Sequence, residues 1–226
     1  MLETLVLKDI DFQPDKEALM KRLHLDESFE EEFDEILEEA VRVARPKAVV
    51  RMLAVEVEGP RQVKMDEERF ESRVLAVNLK EVKRAFGYVV SCGRELHELS
   101  GSKSDPLERY WVDAIAEQAL GVAMRHMYKA AQERFHTGKL RAMNPGSLED
   151  WPIGQQKPLF RAIGNVMEEI GVELTDTFLM LPVKSGSGLL FETEQNYENC
   201  SMCPRIDCPN RRAQFDKEKF EREYAL

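Results

Sequence analysis

RAMNPGSLEDWPIGQQKPLF, residues 141–160, is the stretch around which the rest of the chain can be laid out. Most of its residues set backbone shape. Pro145-Gly146 prescribes a turn, because proline fixes φ and glycine takes the φ > 0 values that other residues avoid. Trp151-Pro152 sets a second corner. Asp150 is placed to cap a helix opened by Pro152, with Leu159, Phe160, Ile163 and Met167 on one face. At the head of the stretch, Arg141 supplies a fixed guanidinium beside the turn. Such a cation next to backbone N–H donors suits an anionic group, although the same pattern also makes a plain strand–turn–helix corner.

On the N-terminal side, Asp105-Pro106 caps a long helix predicted to run from Pro106 to about Phe135. Trp111, Ile115, Ala119, Val122 and His126 form its stripe, which makes His126 a hydrogen-bonded core histidine. Gly121, in the middle, marks a close approach of another backbone or of a ligand, packing against a strand being the commoner cause. On the C-terminal side, the helix after Pro152 continues to Ile170 and stops at Gly171. Two strands follow, about 173–180 and 187–192, joined by a glycine- and serine-rich turn at Lys184–Gly188. That pairing would bring Gly146 and Ser185–Gly188 together.

Further out, Leu2 to Phe12 alternates as an edge strand. Pro14-Asp15 starts a short helix, and Asp26 or Ser28 starts a second that reaches about Arg45. The run Glu30, Glu31, Glu32 with Glu38 and Glu39 is the solvated face of that helix. From Lys47 the pattern turns to β: KAVVRMLAVEVEG, then VLAVNL at 74–79, then RAFGYVVSCG at 84–93, followed by a short helix over Glu95–Leu99. Strands drawn from distant parts of the chain favour an α+β domain over residues 1–195, followed by a cysteine-rich tail at 196–226.

The chain has 226 residues, is 43% hydrophobic and 33% charged, and carries a formal net charge of −10. That balance describes a globular protein and argues against a nucleic-acid partner, which requires a basic face. No apolar run is long enough to cross a membrane, and MLETLVLKDI lacks the basic and apolar regions of a secretory signal. The expected location is cytoplasmic. Cys200, Cys203 and Cys208, in NCSMCPRIDCPNRR, are spaced as a nest of thiolates able to hold a metal, with Arg205, Arg211 and Arg212 favouring the thiolate form. Zinc would need a fourth ligand, for which Cys92 is the natural choice. The alternatives are an iron–sulfur cluster with one open or non-cysteine position, three reduced structural thiols, or a reversible disulfide pair.

Three of these stretches carry a resemblance. DAIAEQALGVAMRHMYKAAQERF, RAMNPGSLEDWPIGQQKPLF and LTDTFLMLPVKSGSGLLF, together within about 105–192, resemble the activation (reactivation) domain of cobalamin-dependent methionine synthase in a stand-alone form. The resemblance implies a C-shaped α+β fold with a twisted, mainly antiparallel sheet and packed helices. It implies S-adenosylmethionine as ligand, with Arg141 holding its carboxylate and groups around Asn144, Pro145, Gly146 and Ser147 completing the contact. It also implies a partner that carries cobalamin, methionine synthase or another corrinoid methyltransferase, and an electron donor such as flavodoxin or ferredoxin. The implied work is reductive reactivation in methionine biosynthesis. Where the family's full-length members have a tyrosine after the loop glycine, this chain has Ser147. Asp9, Asp11 and Asp15 are the candidates for the family's aspartate on the ligand's amino group. A module that carries a metal or iron–sulfur cluster and docks on a corrinoid protein, without binding S-adenosylmethionine, is the alternative function.

Overall fold

The computed structural model describes residues 3–194, 197–205, 207–208 and 211–224. Thr4–Leu7 is β1. Asp15 caps α1 (Lys16–Leu23) by accepting from the Ala18 N–H, and Asp26 caps a 3₁₀ turn that leads into α2 (Glu30–Val43). Next come β2 (Lys47–Val57), β3 (Gln62–Met65), β4 (Glu68–Glu71), α3 (Arg73–Asn78), β5 (Arg84–Ser91) and α4 (Arg94–Ser102). The second half comprises α5 (Pro106–Phe135), β6 (Leu140–Met143), α6 (Gln156–Ile163), α7 (Val166–Ile170), β7 (Glu173–Leu174), β8 (Met180–Leu181), β9 (Ser185–Glu192) and α8 (Lys217–Glu223).

Among the described residues the main sheet has seven strands in the order β4-β3-β2-β5-β9-β6, with β1 also on β2. Each of its pairings is antiparallel. β2 is long enough to hold two partners on one edge, β1 along Ala48–Arg51 and β3 along Val55–Val57, while β5 takes the other edge. β7 and β8 form a separate two-stranded ribbon. The fold is thus α+β with a mainly antiparallel sheet and packed helices.

Both faces of the sheet are covered. Ala48, Val50, Phe86, Tyr88, Val90 and Leu190 face a core built with α1, α2, α4 and α5. The alternate residues Val49, Leu53, Ala85, Val89, Leu189 and Phe191 face a second core with α3, α6 and α7. Burial on both faces explains why the central strands read as nearly continuous apolar runs rather than alternating ones. Tyr197, Met202 and Tyr224 share this second core, so described residues of the C-terminal segment are packed into it.

Helix α5 does not bury a single straight stripe. Trp111, Ile115, Ala119, Ala123, Met127, Ala131 and Phe135 are all buried, each four residues after the last. At 3.6 residues per turn, such a row winds about 40° per step around the helix. It passes from the start of α2, where Phe29 of the 3₁₀ turn and Phe33 of α2 meet Trp111 edge-on at 6.2 and 5.6 Å, to β5, where Phe135 stacks on Phe86 at 4.7 Å. His126 falls off this winding row and is exposed, not a core histidine.

Three further expectations change. VLAVNL is α3 rather than a strand, because Ser72 Oγ accepts from the Leu75 N–H and Asp150 accepts from Ser72 Oγ at 2.6 Å and from the Val74 N–H at 2.9 Å. A capped first turn outweighs valine's β preference here. Asp150 therefore caps α3 across the chain, and also pairs with Arg61 at 2.9 Å, rather than capping the helix after Pro152. The Lys184–Gly188 tract is not a turn, since Ser185 begins β9.

Gly121 has no close neighbour: an added Cβ would meet only Arg125 Nη1, at 3.7 Å. Gly121→Ala is expected to stabilise the protein by about 0.5–1 kcal/mol, seen as a higher urea midpoint at unchanged m.

Candidate functional site

The site forms at the β6 edge of the sheet. β6 pairs with β9 through Arg141↔Phe191 and Met143↔Leu189, so the next residue, Asn144, comes alongside Gly188. The chain then turns. The Ser147 N–H donates to the Asn144 carbonyl at 3.1 Å, with Pro145 and Gly146 between them and Gly146 at φ 79°. Proline followed by a positive-φ glycine is the type II signature. The loop then closes on itself: the Gly146 N–H donates to the Trp151 carbonyl at 2.7 Å and the Trp151 N–H to the Leu148 carbonyl at 3.1 Å. The N–H groups of Gly146 and Ser147 are thus committed within the loop. Pro145 is buried, while Gly146 and Ser147 are exposed.

The Asn144 side chain ties three segments together. Its Nδ2 donates to Tyr88 Oη and to the Ser187 carbonyl, both at 2.7 Å, and its Oδ1 accepts from Asn199 Nδ2 at 3.2 Å. Ser187 Oγ accepts in turn from Gln156 Nε2 at 2.9 Å, and Gln156 is 2% exposed. Gln156 Oε1 is a buried acceptor without a hydrogen-bond partner among the described residues. Burial pushes the Tyr88 hydroxyl well above its ordinary range, opposed in part by Asn144 and the charge of Arg212. Tyr128, on α5, is raised for the same reason, and feels Arg212, Glu198 and Arg141. Arg141 Nη1 lies 3.8 Å from the Glu198 carboxylate.

Of the predicted residues, Arg141 and Asn144 are brought to one edge, with the Pro145–Ser147 turn directly after them. Tyr88, Tyr128, Gln156, Glu198, Asn199 and Arg212 join them and were not foreseen. The glycines at 186 and 188 are the sequence signal for this assembly. They sit on one face of β9, where Gly186 packs against Met124 and Val90, and Gly188 against Asn144 and Tyr88. Asp15 caps α1 beside Gln118, roughly 15 Å along α5 from Tyr128, and Asp11 accepts from Gln13.

The cysteine segment adjoins this edge. Arg211 gathers its backbone, donating to the carbonyls of Cys200 at 3.1 Å, Cys203 at 3.0 Å and Ala213 at 2.9 Å, and also to that of Arg205. The Arg212 N–H donates to Cys200 Sγ at 3.4 Å. Among the described residues, no group of three His, Cys, Asp or Glu side chains is placed to hold a metal. Cys92 does not join the tail cysteines. It is buried in the core that α4 and α5 cover, whereas Cys203 packs on the opposite core.

No protein family matches the chain, and no curated protein matches it. Among solved structures, it is similar to the MetH reactivation domain bound to AdoHcy, at 14% identity and a TM-score of 0.62, over 87% of this chain and 81% of that one. This likeness shows the fold. No helix among the described residues is long and apolar enough to cross a membrane.

Burial pushes the Cys92 thiol up to about 12, so it stays protonated at pH 8, whereas the three tail cysteines are partly exposed. Thiol titration of the reduced, folded protein at pH 8 is expected to show three reactive cysteines, with Cys92 reacting only after denaturation.

Proposed function

We propose that this protein presents S-adenosylmethionine to the corrinoid of a partner, such as a cobalamin-dependent methionine synthase, during reductive reactivation. The observation that supports the reading most is the likeness to a reactivation domain solved with AdoHcy, taken with Arg141 and the Pro145-Gly146 turn at one sheet edge. AdoHcy is what remains when S-adenosylmethionine gives up its methyl group.

The residues present fit an amino-acid ligand. Arg141 already faces a carboxylate, that of Glu198, and its side chain is 19% exposed, so it is dry enough to bind firmly and open enough to be reached. Its planar fork suits the ligand's carboxylate. Because the Gly146 and Ser147 N–H groups are committed within the loop, the turn's part is to hold Arg141 and Asn144 in place.

In this reading a bound S-adenosylmethionine would supply an activated methyl group for the partner's reduced cobalt, leaving AdoHcy, and Arg141 and Asn144 would hold the ligand in place for that transfer. The electron comes from a donor such as flavodoxin or ferredoxin. This chain's residues orient the ligand and exclude water, which is positioning rather than acid–base work. AdoHcy titrated calorimetrically into the full chain should bind, and Arg141→Ala should weaken binding at least tenfold, as loss of a charge-assisted contact does. Absence of binding, or equal binding by Arg141→Ala, would overturn the assignment.

A second reading, a redox module carrying zinc or an iron–sulfur cluster on Cys200, Cys203 and Cys208, draws on the Arg212 N–H aimed at Cys200 Sγ, a backbone donor of the kind that orients a sulfur ligand. It predicts metal bound in fixed stoichiometry after anaerobic purification. Elemental analysis of the wild type against Cys203→Ser checks this, with equal metal in both counting against it.

A further inference from the structure

We infer that the segment Tyr197–Met202 is a built-in competitor for the ligand, with the Glu198 carboxylate standing where the ligand's own carboxylate would bind. The inference rests on the proposed reading of Arg141 as the carboxylate holder. Three observations carry it. First, Glu198 Oε1 lies 3.8 Å from Arg141 Nη1, so the chain's own carboxylate already faces the cation. Second, the neighbouring residue repeats the pattern, because Asn199 Nδ2 satisfies Asn144 Oδ1 at 3.2 Å. A single short segment thus engages both polar side chains at the head of the loop. Third, the segment is anchored on both sides of this contact. Tyr197 is 2% exposed against Phe191, with ring centroids 5.7 Å apart, and Met202 is 1% exposed in the second core.

These anchors decide what has to move. The Glu198–Arg141 contact is long, and the Glu198 side chain is 39% exposed, so it is held loosely. Tyr197 and Met202 are not. A ligand carboxylate therefore replaces Glu198 by a local side-chain exchange while the segment stays docked through its buried residues. Partly exposed ion pairs are weak, which makes the device a threshold on affinity rather than a lock. While Glu198 occupies Arg141, only a fraction of molecules is competent to bind, and apparent affinity is reduced by that fraction.

The test is calorimetric titration of the full chain with AdoHcy, comparing wild type, Glu198→Gln and Glu67→Gln. Glu67 is in the β3–β4 turn with its side chain 95% exposed, so Glu67→Gln removes the same charge away from the site. Glu198→Gln is expected to bind about three- to fivefold more tightly than wild type, the gain from removing one surface-type ion pair, and Glu67→Gln to match wild type. If wild type binds and Arg141→Ala does not, yet Glu198→Gln is unchanged or weaker, the ligand site stands and the competitor is overturned. Equal tightening by Glu67→Gln would assign the effect to net charge and overturn it as well. If neither wild type nor Glu198→Gln binds, the ligand site itself fails and the competitor with it.

Discussion

The close approach of backbone to side chains at Gly188 is the constraint on which the rest depends. A Cβ at this position would run into Asn144 Nδ2, lie 2.6 Å from the Met143 carbonyl and 2.9 Å from Tyr88 Cε1. With hydrogen there instead, Asn144 folds back over β9 and reaches both the Ser187 carbonyl and the Tyr88 hydroxyl. A buried tyrosine hydroxyl without a partner would be costly, so Asn144 serves the core and the site at once. It also fixes the start of the turn, since its own carbonyl accepts the Ser147 N–H. The position of Arg141, three residues earlier in β6, follows from that anchor.

Local signals were legible in the sequence where the physics is local. Asp15, Asp26 and Asp105 each accept a backbone N–H from the first turn that follows, as their positions before helical runs suggested. The span of α5, from Pro106 to Phe135, follows from a proline at its start and a break in periodicity at its end. Pro145-Gly146 makes the turn that those two residues prescribe. What could not be read depended on distant partners. VLAVNL is a helix because Asp150, on another segment, receives its first-turn donors. His126 is exposed because the buried row on α5 winds as its neighbours change from α2 to the sheet.

The serine–glycine tract is the most instructive misreading. As a string, SGSG has the composition of a turn. As a strand, glycines two apart leave one face without side chains, and that is what lets Met124 of α5 and the Asn144–Tyr88 pair come close. The period of two, rather than the glycine content, held the information. Arg141, Asn144 and the turn were therefore within reach of sequence reasoning. Tyr88 and Tyr128 were not, because only the pairing of β5 with β9 and the winding of α5 bring them to the same edge.

The C-terminal segment matters to the site for a reason separate from its cysteines. Arg211 holds its backbone through several carbonyls, and Tyr197, Met202 and Tyr224 hold it to the second core. Arg212 and Glu198 then add charges of opposite sign beside Tyr128 and Arg141. A cation left unpaired in a desolvated pocket costs stability, and a nearby carboxylate lowers that cost. On the proposed reading of Arg141, a partly exposed carboxylate at 3.8 Å is close enough to compensate the cation and held weakly enough to give way to a ligand that makes additional contacts.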